Sequence, residues 1–208
     1  MTLPTTPFRD EHDALRETVA RWAAQAAPDD IAGATALGLG SDDPWANVVV
    51  VEEAFRAVRV LGRTLVGHSS LPDALAGAVG ACAAAAVEVD RAIAYARQRQ
   101  AFGRPIANFQ VIKHMLVEMA TSVEACRHLV TATVDRWQAG IATHAELATA
   151  ARAAALMDLD VTDRTMQVHG GAGYSEEYPV GDAWLDARTA ASTNVDVTVI
   201  AAGLGVEA

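Results

Sequence analysis

Residues Pro72 to Trp137 read PDALAGAVGACAAAAVEVDRAIAYARQRQAFGRPIANFQVIKHMLVEMATSVEACRHLVTATVDRW. Pro72 suits the opening of a helix, and nothing breaks the helical pattern until Gly103-Arg104-Pro105. The first half therefore predicts a helix from Pro72 to about Gln100, roughly 28 residues and ~42 Å at 1.5 Å per residue. After the break, Asn108 is the expected cap of a second helix, and Phe109, Ile112, Leu116, Met119 and Val123 recur at the spacing of one helical face as far as Trp137. Gly140 is the expected stop. Two long helices joined by a few residues must lie side by side, which makes the fold all-α.

Working outward, Thr143 and Glu146 have the T-x-x-E spacing of a capping box, and an Ala-rich helix follows as far as Gly170-Gly171. Beyond a loop from Gly171 to Pro179, a short turn near Asp182 to Arg188 and a last apolar segment are expected. Only Val195 to Val199 alternates with period two. On the N-terminal side, Phe8 to Ala26 reads as a helix presenting Leu15, Val19 and Trp22, with Pro28 beyond it. The Gly-rich stretch Ile31 to Ser41 reads as a loop or irregular segment. Asp43 caps a further helix with Pro44 at its first position, and Trp45, Val48, Val49, Phe55 and Val58 face inward. The division expected is a reduced helical segment over residues 1–70 and a helical bundle over 71–208. Ala-rich faces let helices approach closely and leave weakly polar stripes suited to another subunit, so oligomerisation is expected.

The chain has 208 residues, with 16 basic and 26 acidic side chains and a formal charge of −10, so its average surface repels a phosphate polymer and nucleic acid is a poor partner. Lys113 is the only basic residue that is not Arg. Cys82 and Cys126 sit in apolar helical patterns and read as buried thiols of a reducing compartment, the cytoplasm by default. No apolar run has the length of a membrane span, and no signal peptide is visible. The six His residues show no metal-ligand spacing. His114 and Glu118 are placed for an i,i+4 surface pair, whereas His169, inside a glycine motif, reads about equally as structural or as lining a ligand cleft. Glu176 and Glu177 read as solvated loop carboxylates, and Trp22, Trp45, Trp137 and Trp184 as aromatics packing helix faces.

The stretch Tyr95-Ala-Arg-Gln-Arg99-Gln-Ala-Phe102-Gly103-Arg-Pro105-Ile106-Ala-Asn-Phe109-Gln110 resembles the acyl-CoA dehydrogenase signature Y-x-x-x-R-x-x-F-G-x-P-I-x-x-F-Q. Downstream, Gln167-Val-His-Gly170-Gly171-Ala-Gly173-Tyr174 is similar to that family's Q-x-x-G-G-x-G-Y loop, and Glu52 to Leu65 more thinly resembles its E-x-x-G-R-x-L helix. The resemblance covers about residues 71 to 204. It implies the family's C-terminal four-helix domain preceded by a short N-terminal helical segment. It also implies FAD, with Arg99, Phe102, Gln110, Gln167, Gly170, Gly171 and Gly173 contacting a flavin nucleotide held mainly by a neighbouring subunit. The residue types suit this: a fixed guanidinium binds pyrophosphate through paired hydrogen bonds, glycines allow close backbone approach, and Gln donates and accepts at once. From spacing alone, Arg99 pairs with a carboxylate and the glycines cap a helix. The two motifs in order favour flavin contact.

Two departures shape the expectation. Gly67-His68-Ser69-Ser70 leads directly into the long helix, where the family carries a β-domain of about a hundred residues. The family's catalytic Glu, soon after its D-A-R motif, has no counterpart after Asp186-Ala187-Arg188, where Thr-Ala-Ala-Ser192-Thr193-Asn194-Val-Asp196 follows. Proton abstraction next to a thioester needs a carboxylate within hydrogen-bond reach, which Ser192 and Asn194 cannot supply. Asp196 is a weak candidate, about two residues out of register. The family's other base position falls near Ser70 and Pro72, and Asp182 and Leu185 stand where Arg is common. The resemblance thus implies a shortened subunit of a heteromeric, FAD-dependent enzyme dehydrogenating an acyl-CoA, whose full-length partner supplies the β-domain, most of the FAD site and the base. The competing expectation is a non-redox enzyme, or a binding or scaffold protein, that keeps the bundle without flavin.

Overall fold

The computed structural model describes residues 10–27, 30–57, 62, 65–66, 68–193 and 197–206. Eight helices appear among them: α1 (Asp10–Ala23), α2 (Ile31–Ala36), α3 (Pro44–Ala57), α4 (Asp73–Gln98), α5 (Gln110–Gln138), α6 (His144–His169), α7 (Val180–Thr193) and α8 (Val197–Gly203). The one sheet among the described residues is a two-stranded hairpin of β1 (Gln100–Ala101) and β2 (Arg104–Pro105), followed by a 3-10 turn at Ile106–Asn108. The fold is all-α, as the periodicity predicts.

Helix α4 is the axis of the bundle. Leu75, Ala76, Val79, Ala83, Ala85, Val89, Ala92 and Ala96 are buried on several sides, because α3, α5 and α6 all pack against it. Its most extensive partner is α6, whose Ala150, Ala151, Ala154 and Ala155 are likewise buried. Small side chains on both helices allow this close seam. Helix α5 buries one stripe, including Met119, Val123, Val130 and Val134, while Val111 and Val117 stand exposed on its outer side. Thr143 accepts from the Glu146 N–H at 3.2 Å and the Glu146 carboxylate accepts from the Thr143 N–H at 2.8 Å, completing the capping box of α6.

Several elements differ from the sequence reading for identifiable reasons. Asp30 caps α2 inside the Gly-rich stretch: its Oδ1 accepts from the Gly33 N–H and its Oδ2 from the Trp22 indole N–H, both at 2.9 Å. These bonds hold the Asp30 carboxyl below its ordinary value. Asn108 does not cap α5; it ends the 3-10 turn, and Phe109 takes the cap position without a side-chain hydrogen bond. The expected short turn after Pro179 is the fourteen-residue α7, packed on α6 through buried Val180, Ala183 and Ala187. Residues 197–203 are helical despite their period-two pattern, since α8 packs on α6. Glu118 pairs with Arg164 of α6 rather than with His114, and the i,i+4 pair on α5 is His128 with Glu124, at 3.2 Å. Trp22, Trp45 and Trp137 pack on the core, whereas Trp184 donates to Asp163 and lies 5.3 Å from the Arg188 guanidinium. Val48 and Val49 are buried; Val58 and the side chain of Phe55 fall outside the described residues, as does Phe8. No described helix is long and apolar enough to cross a membrane.

Candidate functional site

The first motif forms the corner between α4 and α5. Arg99 closes α4: its N–H donates to the Tyr95 carbonyl at 2.9 Å, and its carbonyl accepts from Ile106 at 2.8 Å. Gln100 then pairs with Pro105 and Ala101 with Arg104. The two residues between, Phe102 and Gly103, have φ +52° and +77°. Both lie in the left-handed region that a tight primed hairpin turn requires. Gly103 adopts it freely, while a side chain such as that of Phe102 costs ~1–2 kcal/mol there. Burial does not offset this cost, because Phe102 is 95% exposed. Its ring meets that of Phe109 in a T-shaped contact, with centroids 6.3 Å apart, and the Arg104 guanidinium sits 4.4 Å from the Phe109 centroid. Apart from that edge contact, the strained, solvent-facing ring adds little to this chain's own packing.

The Arg99 guanidinium is exposed and makes no ion pair or hydrogen bond among the described residues. The carboxylate pairing that spacing alone suggests is therefore not seen there. Gln110, at the start of α5, is exposed beside the same corner.

The second motif ends α6. Gly170 turns the chain at φ +56°, its N–H donating to the carbonyls of Met166 and Gln167, and Gly170–Tyr174 forms a 3-10 turn. A Cβ added at Gly170 or Gly171 would meet nothing within 4 Å, so this backbone is open to approach. Gly173 is different. It is buried, and a Cβ there would lie 3.2 Å from both the Met166 Sδ and the His169 Cβ, so its missing side chain serves packing. Gln167 is exposed, and Tyr174 is 84% exposed.

Tyr95 and His169 bring the two motifs to one end of the bundle. Their rings stack at 4.1 Å with planes 26° apart, and the Tyr95 hydroxyl donates to the His169 carbonyl at 3.3 Å. Tyr178 meets both edge-on, at 5.6 and 5.4 Å. Burial, the largest influence, and nearby Arg91 lower the His169 pKa below 6.5, against the Thr165 carbonyl, which raises it. Neither Tyr95 nor Tyr178 is identifiable as a link from local spacing, since 74 residues separate Tyr95 from His169. The signal available was Tyr95 as the first residue of its motif. Asp196 falls outside the described residues, and Ser192 is exposed on α7 with its hydroxyl donating to the Thr189 carbonyl at 2.7 Å.

A second polar cluster, within the interior, joins α1, α3 and α5. Glu52 accepts from Arg16 at 2.8 Å and from Arg127 at 3.3 Å, and Glu53 also pairs with Arg16. Glu52, Glu53 and Arg127 are all buried. This network anchors the helices that precede the bundle. It flanks a small cleft that includes Trp45, Val79 and Cys82 in its lining. Cys82 and Cys126 are buried free thiols, and a hydrogen bond with Cys126 together with burial pushes the Cys82 thiol up. No group of three His, Cys, Asp or Glu residues suited to a metal ion occurs among the described residues.

An all-α bundle whose hairpin and glycine turn meet at one exposed end defines a recognisable class. Residues 72–201 match the model of the acyl-CoA dehydrogenase C-terminal domain, and the chain belongs to the acyl-CoA dehydrogenase family. A short-chain specific acyl-CoA dehydrogenase of Megasphaera elsdenii is 33% identical over 148 residues, covering 66% of this chain and 39% of that protein. An acryloyl-CoA reductase (NADH) of Anaerotignum propionicum is 35% identical over 137 residues, 64% of this chain and 35% of that protein. Among solved structures, butyryl-CoA dehydrogenase from Megasphaera elsdenii superposes with a TM-score of 0.61 at 27% identity, over 74% of this chain and 38% of that one. The chain thus spans well under half the length of these relatives.

Proposed function

We propose that this chain is a subunit of a heteromeric, FAD-dependent acyl-CoA dehydrogenase-like enzyme and completes a flavin site held mainly by a full-length partner. The observation that carries this reading is Phe102, a bulky aromatic kept in a strained conformation and in water beside Arg99, which makes no ion pair among the described residues. Such an arrangement makes sense when a second body covers it.

The residues fit an approaching nucleotide. Arg99 offers a forked set of donors to a pyrophosphate, Phe102 an apolar face to a ring, and Gln110 and Gln167 paired donor and acceptor groups. Gly170 and Gly171 leave room for the ligand's polar edge against their backbone. Gly173 shapes the turn from behind. When bound, FAD supplies the oxidising chemistry of α,β-dehydrogenation, accepting the β-hydride of an acyl-CoA thioester. This chain's part is to position and to exclude water. The base that takes the α-proton comes from the partner, because Ser192 carries no negative charge and Asp196 stands out of register with the family's Glu.

Co-expression with a full-length acyl-CoA dehydrogenase-like subunit from the same host tests the reading. The expected complex is yellow, and Arg99→Ala with Phe102→Ala lowers its FAD content at least about tenfold, the loss of one charge-assisted contact and one ring contact. A colourless complex, or flavin content indifferent to both substitutions, would overturn it and favour a scaffold that keeps the bundle alone.

A further inference from the structure

We infer that His169 is a positioning residue that docks the glycine turn onto the hairpin end only as the neutral imidazole, so that acid releases Gly170–Tyr174 while the bundle stays folded. The geometry leaves little room for a charged ring. Only 3% of His169 is exposed, with Tyr95 stacked on one face of its ring and Tyr178 meeting it in a T-shaped contact. Nδ1 lies 2.9 Å from the Thr165 carbonyl, an acceptor only, which assigns the proton to Nδ1 and the lone pair to Nε2. Nε2 is buried and has no hydrogen-bond partner among the described residues. A second proton would create a charged donor with no acceptor in a dry site.

Of the groups around the ring, the Thr165 carbonyl favours the charged form, but burial outweighs it. From α4 come the Tyr95 hydroxyl, spent on the His169 carbonyl, and the Arg91 guanidinium, whose positive charge opposes a second one; Glu88, buried on the same helix, is paired with Arg91. Tyr178, from the segment before α7, presents an edge, and α6 contributes the Thr165 carbonyl. The docked His169 therefore binds its proton less tightly than a solvated imidazole near 6.5. The docked state consequently keeps its full stability above pH 6.5 and loses it as pH falls from there to the lowered value. The turn is the element that yields, because 3-10 backbone and exposed glycines open more readily than the alanine seam of α6.

The test uses the whole chain. Amide hydrogen exchange at Gly170–Tyr174, corrected for intrinsic rates, and proton NMR of the His imidazoles are followed from pH 8 to pH 5. Exchange should rise by up to about tenfold for each pH unit between 6.5 and the midpoint of His169, with amides of Ala150 to Val161 unchanged. His169→Phe keeps a stacked ring and should abolish the acid step; its missing NMR signal also assigns His169 in the wild type. An acid step surviving in His169→Phe, a His169 midpoint at or above 6.5, or turn exchange flat across that midpoint would each overturn the inference. Should His169→Phe not fold, the wild type decides alone, by whether a buried imidazole titrates below 6.5 in step with opening of the turn. None of these outcomes depends on flavin, so the subunit reading stands or falls separately.

Discussion

The α4–α6 seam and the end of the bundle above it are built from the same two helices by opposite rules. Along the seam, Ala85, Ala92, Ala150 and Ala154 are wholly buried, and every position answers to its neighbours across the interface. At the end, Arg99, Phe102, Gln110, Gln167 and Tyr174 face solvent, and Phe102 holds a backbone angle that costs energy while its ring, apart from an edge contact with Phe109, stands in water. Between the two lies the stack of Tyr95 on His169, buried like the seam yet shaped by the end it supports. Residues that serve the fold are recognisable by what they touch, whereas those at the end have little to touch.

That contrast is breakable by substitution. The largest effect is expected away from the end, at the interior charge network. Glu52→Ala removes the shared partner of Arg16 and Arg127 and should cost ~3–5 kcal/mol, read by urea unfolding. A loss below ~1 kcal/mol would mean the two arginines are hydrated without it. Within the seam, Ala154→Leu forces a larger side chain between α4 and α6 and should cost ~1–3 kcal/mol. At the exposed end the sign should reverse: Phe102→Gly relieves the left-handed backbone and should raise stability by ~1 kcal/mol, though the greater freedom of Gly in the unfolded chain cuts into the gain. The same variant should weaken flavin retention in the complex. A destabilised Phe102→Gly would place the ring in the fold's service after all. Smallest is Arg99→Ala, expected to change stability by less than ~0.5 kcal/mol while lowering flavin content. Thermal unfolding of the isolated chain beside absorbance of the complex separates the two effects.

Much of the fold was legible because long helices announce themselves through local rules. The capping box at Thr143 and Glu146, the opening at Asp43-Pro44 and the stripe through Met119 and Val123 each involve residues within a few turns of one another. Helices α2 and α7 were not legible as helices, because glycines and mixed polarity weaken the local signal. Asp30 between Trp22 and Gly33 stabilises the first, and packing on α6 the second. The site divides in the same way. Arg99, Phe102 and the glycines were singled out by motif resemblance, whereas the packing duty of Gly173 becomes visible only when Met166 and His169 are seen against it.

The amino-acid order alone determined that the chain is all-α, where its longest helices start and stop, and which family it resembles, since these depend on spacings of three to seven residues and on compact motifs. Tertiary structure alone decided that Tyr95 stacks on His169, that Glu52 is shared by Arg16 and Arg127, and that Phe102 is strained and bare. The reason is range: periodicity and capping are local, whereas burial, ion pairing across helices and the meeting of two motifs depend on residues far apart in the chain, which only the packed bundle brings together.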